Sequence, residues 1–488
     1  MFPYRQALRM ARRLAPLVIV VLAGCATDYE SRIPRIENYM PRPVARPDAA
    51  TSPLDAGRDT VPADVAAPRK GPLTLQSCVR IALEENPALR AAREGVAIAH
   101  DSVGIARAPY YPTLGLNAAY RRFESHIFLP EGVGGANPPT SLGPTDDWST
   151  GLRARYLLFD SGARAAQMRA ALSRRDVAEE EAAAIRQDIA LAVHQDFYSL
   201  LSAMEAKSAA KENLLRAEEH LRLTREHLAA GAVPQADVIR AQVEVADARL
   251  NSVRAESAVR LAQGKLNTTM GLPVETDIET DTRADDMVSP EDIKVAESLE
   301  RAVHARPELR AALRRIAGAR NAVDAAKSAY GPRITTDAGY GYRDSEFLPE
   351  DKDWSVGVGL ELPLFDGFAR SHSLSKAKRE VSREEAEARR MVLKVREEVW
   401  SAHLKLKEAY EAAQAAEALV RDAGESMRVT QERYKAGAAT TSDLLDAQTT
   451  LARAEFISVD SRWNYHMATA SLRRAIGEIA DTETPSRP

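Results

Sequence analysis

The chain has 488 residues, of which 28% are charged and 6% are aromatic, with a formal net charge of −4 at pH 7. Alanine, arginine, glutamate and leucine dominate its long segments. This composition is typical of long, solvated helices and argues against a large globular core.

The first 24 residues have the organisation of an export signal. A basic region precedes an apolar run from Leu14 to Gly24, which is too short to span a bilayer as an anchor helix. The basic residues are Arg5, Arg9, Arg12 and Arg13. Because the segment holds four arginines and no acidic residue, its removal lowers the net charge from −4 to −8. We therefore predict no nucleic-acid partner.

The apolar run ends in Leu-Ala-Gly-Cys at Cys25, which resembles a bacterial lipobox. In that resemblance Cys25 becomes the lipidated first residue, and Ala26 after it favours the outer over the inner membrane. The alternative is an incidental cysteine beside an ordinary cleavage site, but all four positions fit. We predict a lipoprotein signal peptide over 1–24. Residues 25–71 form a lipidated tether, because they are rich in Pro, Arg, Asp and Ala without periodicity.

The body of the chain is a long internal duplication. Matches 220 positions apart are Pro87 and Pro307, Tyr110 and Tyr330, Pro112 and Pro332, and Tyr120 and Tyr340. Matches 206 positions apart are Trp148 and Trp354, Phe159-Asp160 and Phe365-Asp366, Arg164 and Arg370, Gly231 and Gly437, and Asp237 and Asp443. One shortened loop explains the change of offset. We predict a first structural repeat over 72–285, a second over 286–478 and a C-terminal tail over 479–488, and this symmetry argues against most single-site enzymes.

Each repeat contains two segments that alternate with a period of two residues, 112–122 with 147–159 and 333–342 with 354–365. Each is about 10 residues long, as a tilted membrane strand requires, with aromatic residues near the ends. Soluble hairpins with one buried face are the alternative, but no other segment offers a sheet or compact domain to cover them. Two connections, Phe123–Asp147 and Arg343–Asp353, are predicted to be exposed loops.

Four strands cannot close a barrel, and open sheet edges are not tolerated in lipid. Closure would therefore demand several protomers.

Very long helices follow the strands. The segment from Gly162 to about Ala230 is read as one helix, and Arg370 to Ala436 is its copy, interrupted only by Gly424. At 1.5 Å per residue, each would be roughly 100 Å long.

A shorter return helix follows each long one and carries a heptad seam of mostly small residues. The first seam is Val238, Ala241, Val245, Ala248, Ser252, Ala255, Val259, Ala262 and Leu266. The second is Leu444, Ala447, Leu451, Ala454, Ser458, Ser461, Tyr465, Ala468 and Leu472. Small residues along a seam permit close approach of the helix backbones. They favour a layer of many packed helices over an isolated coiled coil.

Duplicated strand pairs between half-length and full-length helices, behind a lipobox, resemble the TolC-like outer-membrane efflux proteins. The most specific motifs are the paired turns, REHLAAGAVPQADVIRAQVEV and QERYKAGAATTSDLLDAQTTL. The resemblance implies a mainly α fold with membrane β: a long-helix coiled-coil α-barrel, with four strands per protomer in a trimeric 12-stranded β-barrel.

The same resemblance implies a homotrimer in the bacterial outer membrane, with its helical body in the periplasm. It is closest to the lipoprotein channels that serve resistance-nodulation-division pumps. The family's tunnel is passive, and it docks end-on with a periplasmic adaptor and an inner-membrane pump. The expected function is export of small toxic molecules. A duct for type I protein secretion or for metal efflux is the alternative.

Matching positions to the family suggests functional residues at the two turns. Asp443 and Asp446 fall where the family often has acidic rings at the periplasmic aperture. Asp237 and Tyr434 fall where a hydrogen-bond latch between helix pairs can form. Ala439 replaces the latch arginine of some members, so any lock here is weaker or built differently.

The turn residues Gly231, Gly437 and Ala438 are expected to dock the adaptor. A structural role competes with gating for Asp237 and Asp443, because a carboxylate in the first turn of a helix is stabilised by the helix dipole. Thr440 to Asp443 is also a capping-box pattern, so both roles stay open. Capping explains Asp446 less well, because it lies a turn further in.

Two other classes of function are weaker interpretations. A lipid-anchored periplasmic coiled-coil scaffold would leave the strands unexplained. An enzyme is disfavoured, since no metal, triad or phosphate-loop pattern appears. We predict no catalytic residue, no metal and no cofactor except the lipid on Cys25. His220 and His227 are predicted to be solvated, and Cys78 to be buried core.

Overall fold

The computed structural model describes residues 71–126, 141–281 and 286–479. In chain order its elements are α1 (Leu75–Glu85), α2 (Pro87–Arg107), β1 (Thr113–His126), β2 (Ser141–Phe159), α3 (Ala163–Ala229), α4 (Gln235–Met270), α5 (Val295–Ala305), α6 (Pro307–Ser328), β3 (Arg333–Asp344), β4 (Lys352–Glu361), α7 (Ala369–Lys435) and α8 (Thr441–Ile476). The second half repeats the order of the first, which confirms the duplicated, mainly α architecture. The predicted signal peptide, Cys25 and the tether up to residue 70 lie outside the described residues, as do residues 480–488.

The long helices α3 and α7 have 67 residues each and run without a break. Gly424 lies inside α7 and does not interrupt it, since one interior glycine costs only about 1 kcal/mol relative to alanine. Each long helix ends in a glycine with φ of 72°, Gly231 and Gly437, which turns the chain back. Among the described helices, none has both the length and the apolar run needed to cross a lipid bilayer.

The return helices α4 and α8 pack back along α3 and α7, while α2 and α6 occupy the remaining length next to the strands. At every predicted seam position the side chain is buried or half-buried, so the heptad seams are confirmed. Helix α3 also contacts α6 and α8 of the second repeat. The two repeats therefore form one helical body.

The largest core cluster lies where α1, α3, α4 and α8 meet, around Trp463, Leu201 and Met270. Cys78 belongs to this cluster and has no exposed surface, as predicted. Burial raises the pKa of its thiol to about 12, so the thiol stays protonated and unreactive. Ile479, the first residue of the predicted C-terminal tail, is also buried in this core.

Equivalent joints hold the C-terminal ends of the two return helices. In the first repeat, Asn86 Nδ2 donates a 2.8 Å hydrogen bond to the carbonyl of Thr269. In the second repeat, Arg306 Nη1 donates to the carbonyls of Arg474 and Ala475 at 3.4 and 3.3 Å. The last carbonyls of a helix lack partners within the helix, and both joints supply side-chain donors to carbonyls at the end of a return helix.

The second joint extends into a network of ion pairs on four helices. The Glu308 carboxylate bridges Arg306 at 3.0 Å and Arg474 at 2.5 Å. Arg474 also pairs with Asp188, and Arg306 with Glu398, both at 2.7 Å. Burial works to raise the pKa of Glu308, but the hydrogen bond and charge of Arg474 outweigh it and hold the pKa below its usual value. Removal of one partner would leave a buried charge uncompensated.

The strands form one antiparallel sheet in the order β1-β2-β3-β4. Leu116 pairs with Leu152, and Ala338 pairs with both Ala154 and Val356. Strands β1 and β4 are the edges, and each has one side without a partner in the sheet.

The predicted loops were too long at both ends. Within the segment predicted as Phe123–Asp147, β1 continues to His126 and β2 begins at Ser141, with a bulge between Phe123 and Ser125. The bulge accommodates an unpaired residue and lets pairing with β2 continue beyond the predicted end of β1. The shorter connection Arg343–Asp353 is likewise strand at both ends.

Strand β4 ends at Glu361 and not at Phe365, as the alternation predicted. Pro363 explains the early end, because proline has no N–H to donate to the ladder.

Gly271 closes α4 with φ of 81°, and a Cβ at this position would lie 2.7 Å from the carbonyl oxygen of Glu85. Gly231 has a similar φ of 72°, but open space surrounds its Cβ position. Both alanine substitutions incur the left-handed backbone penalty of about 1–2 kcal/mol. We expect Gly271→Ala to lower the unfolding temperature more than Gly231→Ala, because only the former displaces the α1–α2 link. Circular dichroism melts of the purified proteins measure this, and equal shifts would contradict the predicted collision.

Candidate functional site: the strand sheet and the helical tip

One face of the sheet is apolar and open to solvent in the single chain. Its residues are Leu114, Leu116, Tyr120, Leu152, Tyr340, Trp354, Val356, Val358 and Leu360, several of them about 70% exposed. Strand alternation places them together. A contiguous apolar face of this size marks a surface for contact with lipid or with another protein.

Aromatic residues lie at both ends of this face. Tyr120 and Trp148 stack with ring centroids 4.3 Å apart near the loop end, and Phe347 packs edge-on against Trp148 at 5.0 Å. Phe365 and Phe368 pack at the helical end. Along β2, from Trp148 to Phe159, the strand rises about 36 Å, or about 28 Å in height at a 40° tilt. This is near the height of the apolar band of a membrane strand.

The opposite face of the sheet is polar. At its loop end, Asp147 accepts hydrogen bonds from Arg121 Nη2 at 2.9 Å and from Arg343 Nε at 2.7 Å. This triad ties β1, β2 and β3 together. Toward the helices, the same face carries Arg153 and Arg155 among several glycines.

The strand-to-helix junctions are built identically in the two repeats. The Asp160 carboxylate accepts the backbone N–H of Arg164 at 2.7 Å and so caps α3. The guanidinium of Arg164 donates to the carbonyl of Leu157 at 2.7 Å and lies over the ring of Tyr110. One side chain thus holds the end of a strand, the start of a helix and the chain entering β1.

The second junction has the same partners at the matching positions. Arg370 pairs with Asp366 at 2.8 Å, donates to the carbonyl of Pro363 at 2.6 Å and lies over the ring of Tyr330. The repeated spacing marked these residues in the sequence without revealing this role. The sequence did contain a signal for this junction. It is an Asp and an Arg four residues apart at the start of a predicted helix, with a Tyr upstream.

The helical tip consists of the two turns, α3 to α4 and α7 to α8. At the second turn Thr440 and Asp443 form the predicted capping box: Asp443 N donates to Thr440 Oγ1 at 3.2 Å, and Thr440 N donates to the Asp443 carboxylate at 2.8 Å. These hydrogen bonds lower the pKa of Asp443. The structural role predicted for Asp443 is therefore present.

Asp237 joins the two turns. Its Oδ2 accepts a 3.1 Å hydrogen bond from the hydroxyl of Thr441, a buried residue of the second turn. Its other oxygen lies 3.4 Å from Arg240. The family resemblance suggested that Asp237 and Tyr434 lie where a latch between helix pairs can form. The hydroxyl of Tyr434 is instead buried and has no hydrogen-bond partner among the described residues.

Tyr434 lies in an aromatic cluster with two histidines of α3. Its ring stacks parallel to His227 at 5.8 Å and meets His220 edge-on at 5.9 Å. The prediction that His220 is solvated was wrong: it is 4% exposed, and neither ring nitrogen has a partner in the described structure. Its helix face looked charged in sequence, but α7 packs over it.

Asp446 lies one turn into α8 and is exposed. Within the described residues its carboxylate has no hydrogen bond or ion pair, so it takes no part in capping. Gly231, Gly437 and Ala438 are exposed at the end of the tip. Ala439 is half-buried and packs against the cluster that contains Tyr434.

Comparison with known proteins gives a consistent result. A family model described as outer membrane efflux protein matches residues 78–272 and 298–478. Protein CyaE of Bordetella pertussis is 29% identical over 457 residues, covering 91% of this chain and 90% of that protein. The pyoverdine export outer membrane protein OpmQ of Pseudomonas aeruginosa is 26% identical over 414 residues, covering 83% and 85%.

Solved structures share the fold. The Campylobacter jejuni CmeC outer membrane channel superposes with a TM-score of 0.72 at 18% identity, covering 90% of this chain and 94% of that chain. The outer membrane protein VceC of Vibrio cholerae gives a TM-score of 0.71 at 21% identity, covering 83% and 96%.

The buried His220 predicts that the tip loosens in acid. Burial lowers the pKa of His220. The charge of the nearby His227 lowers this pKa further, whereas the charge of Asp237 acts to raise it. A base whose pKa is lower in the folded state contributes stability that is complete above its unfolded pKa of about 6.5 and is lost as the pH falls below it. Hydrogen exchange at the tip, corrected for intrinsic rates, should therefore be faster at pH 5.5 than at pH 7.5.

The variant His220→Phe should abolish this difference, while His372→Gln, at an exposed histidine of α7, should retain it. Equal acid sensitivity of His220→Phe and the parent chain would assign the effect to other groups.

Proposed function

The chain belongs to the outer membrane efflux protein family, and we propose that it forms the outer-membrane duct of a tripartite efflux system. The observation that carries this proposal is the four-stranded sheet, apolar on one face and polar on the other, at one end of a helical body about 100 Å long. A sheet of this kind satisfies the needs of a membrane wall with lipid outside and water inside.

The sheet also supports assembly as a homotrimer. The free edges of β1 and β4 would leave backbone N–H and C=O groups unpaired in lipid, at several kcal/mol for each group. Pairing of β4 in one protomer with β1 in the next removes both edges, and three protomers supply the 12 strands of a closed barrel. The exposed faces of the helices would close a tunnel in the same symmetry.

The position of the tip at the far end of the helical body supports the proposed orientation and partners. With the sheet in the outer membrane, the tip is the end of the body furthest from that membrane, in the periplasm. There the exposed turns at Gly231, Gly437 and Ala438 would meet a periplasmic adaptor and, through it, an inner-membrane pump. Lipidation of Cys25 would add an anchor at the membrane end, joined to the body by the tether 25–71.

The substrate is proposed only as a class, small molecules toxic to the cell. The names of relatives include both pyoverdine export and cobalt-zinc-cadmium resistance, so membership of the family does not select one cargo. In a passive duct, specificity for cargo resides in the pump that feeds it.

A photo-crosslinking residue at Ala438 tests orientation and partner together. In living cells we expect capture of a periplasmic adaptor, because Ala438 is exposed at the end of the tip. A matched probe at the exposed Glu411, in the middle of α7, should not capture the adaptor by the same end-on contact. Self-crosslinks alone at Ala438, together with no conductance of the purified protein in a planar bilayer, would favour the scaffold interpretation.

The tip carboxylates are proposed to hold the duct closed at rest. We expect Asp443→Ala with Asp446→Ala to raise resting conductance and sensitivity to vancomycin, because carboxylates at the aperture accept hydrogen bonds across hairpins as Asp237 does from Thr441. Thr440→Ala removes the cap without removing charge, at about 1 kcal/mol of helix stability. Asp446→Asn removes charge without touching the cap. If Thr440→Ala raises resting conductance as much as the double variant does, the helix cap and not the acidic ring closes the tip. Unchanged conductance in the double variant would exclude both carboxylates from the gate.

A further inference from the structure

The polar face of the sheet contains a belt, here defined as the two residues of each strand that lie level with Arg153 and Arg155. In register across the sheet these are Gly115 and Thr113 on β1, Arg153 and Arg155 on β2, Gly339 and Asp337 on β3, and Ser355 and Gly357 on β4. Three of the eight positions are glycine. Both arginines therefore project from a surface with few neighbouring side chains.

Neither arginine has an ion pair or a side-chain hydrogen bond among the described residues, and both side chains are exposed. The other arginines of the same face near the loops behave differently, because Arg121 and Arg343 share Asp147. The contrast shows that Arg153 and Arg155 are not needed to tie strands together.

Asp337 is the one carboxylate in the belt, and it lies opposite Arg155 in the register. A Cβ built at Gly357 would meet both carboxylate oxygens of Asp337 at 3.5 Å. The carboxylate therefore lies over β4, on the side of β3 away from β2. The guanidinium of Arg155 therefore has no carboxylate at salt-bridge distance among the described residues.

Assembly leaves this environment in place. Strand β2 is interior, and both of its neighbours, β1 and β3, come from the same chain. The nearest strand of another protomer would pair with β1, two strand spacings or about 9.5 Å from β2.

We propose that Arg153 and Arg155 form an anion-binding site inside the strand region, for solutes that carry phosphate, sulfonate or carboxylate groups. This inference rests on the proposed function, which makes the polar face the wall of a water-filled lumen. Residues i and i+2 of a strand project on the same side with Cα atoms about 6.7 Å apart, so two guanidiniums can contact one polyanionic group. Arginine forks bind phosphate and carboxylate in a bidentate manner. In a trimer the belt would repeat three times, with two arginines and one aspartate in each copy.

The test is direct binding to the assembled full-length protein in detergent at low ionic strength, with inorganic pyrophosphate as the probe in calorimetry. We expect Arg153→Gln with Arg155→Gln to raise the dissociation constant by about tenfold or more, since two charge-assisted contacts are lost. Arg122→Gln is the matched control, because Arg122 lies on the opposite face near Asp146 and should bind as the parent does. Arg153→Lys with Arg155→Lys keeps both charges but loses the planar, bidentate guanidinium geometry, and should bind with intermediate affinity.

Equal affinity of the double glutamine variant and the parent would overturn the proposal. If that variant does not assemble, modification of the parent by phenylglyoxal gives a second measurement. Pyrophosphate should slow modification of Arg153 and Arg155 but not of Arg122, and lack of protection would also overturn the site. Conductance and Ala438 crosslinking report on the duct independently, so failure of the anion site leaves the proposed function standing.

Discussion

The open edges of the sheet are the constraint on which the rest of the structure depends. Strands β1 and β4 each present a row of backbone groups that this chain does not pair, and the face between them is apolar and exposed. In water such a sheet would aggregate; in lipid it is viable only when closed. The helices share this incompleteness, since the seams of α4 and α8 pack within the chain while Leu393 and Trp400 of α7 remain exposed. In the trimer proposed above, one operation, a three-fold rotation, would pair both sheet edges and bring exposed helix faces of neighbouring copies together.

Duplication retains geometry more strictly than chemistry. The two strand-to-helix junctions keep the same Asp, Arg and Tyr, because the Asp must cap the helix and also pair with the Arg that holds a strand carbonyl, which allows few substitutes. The joints at the return helices differ: Asn86 makes one hydrogen bond where Arg306 makes two and joins a network with Glu308. Both donate to the equivalent carbonyl, that of Thr269 in the first repeat and of Ala475 in the second, so the requirement is a donor at that place and not a particular residue.

The sequence predicted what depends on local pattern and missed what depends on packing between distant segments. Helix lengths, heptad seams and the capping box at Thr440 follow from spacing along the chain, and each agrees with the structure. The predicted ends of β1 and β4 were each wrong by four residues, because pairing continues past a bulge at Phe123 in β1 and stops before Pro363 in β4. The burial of His220 was also missed, since the helix that covers it lies more than 200 residues away in the chain. At the tip, Asp237 accepts a hydrogen bond from Thr441, which lies 204 residues away in the chain, and no local spacing rule selects that partner.

Charge in a passive duct affects occupancy and not direction. Carboxylates at the tip and arginines in the strand region change the local concentration of ions, and each lowers the energy of an opposite charge equally for entry from either end. Direction must then come from the pump that loads the duct.

The same reasoning limits how tightly Arg153 and Arg155 can hold a solute, because a site on a conduction path must bind weakly enough to release what it attracts. Exposure of both guanidiniums to water provides this limit, since ion pairs in a solvated setting contribute about 1 kcal/mol or less. A second arginine two residues along the strand offsets part of that weakness for solutes with more than one charge, and so favours polyanions over simple salt.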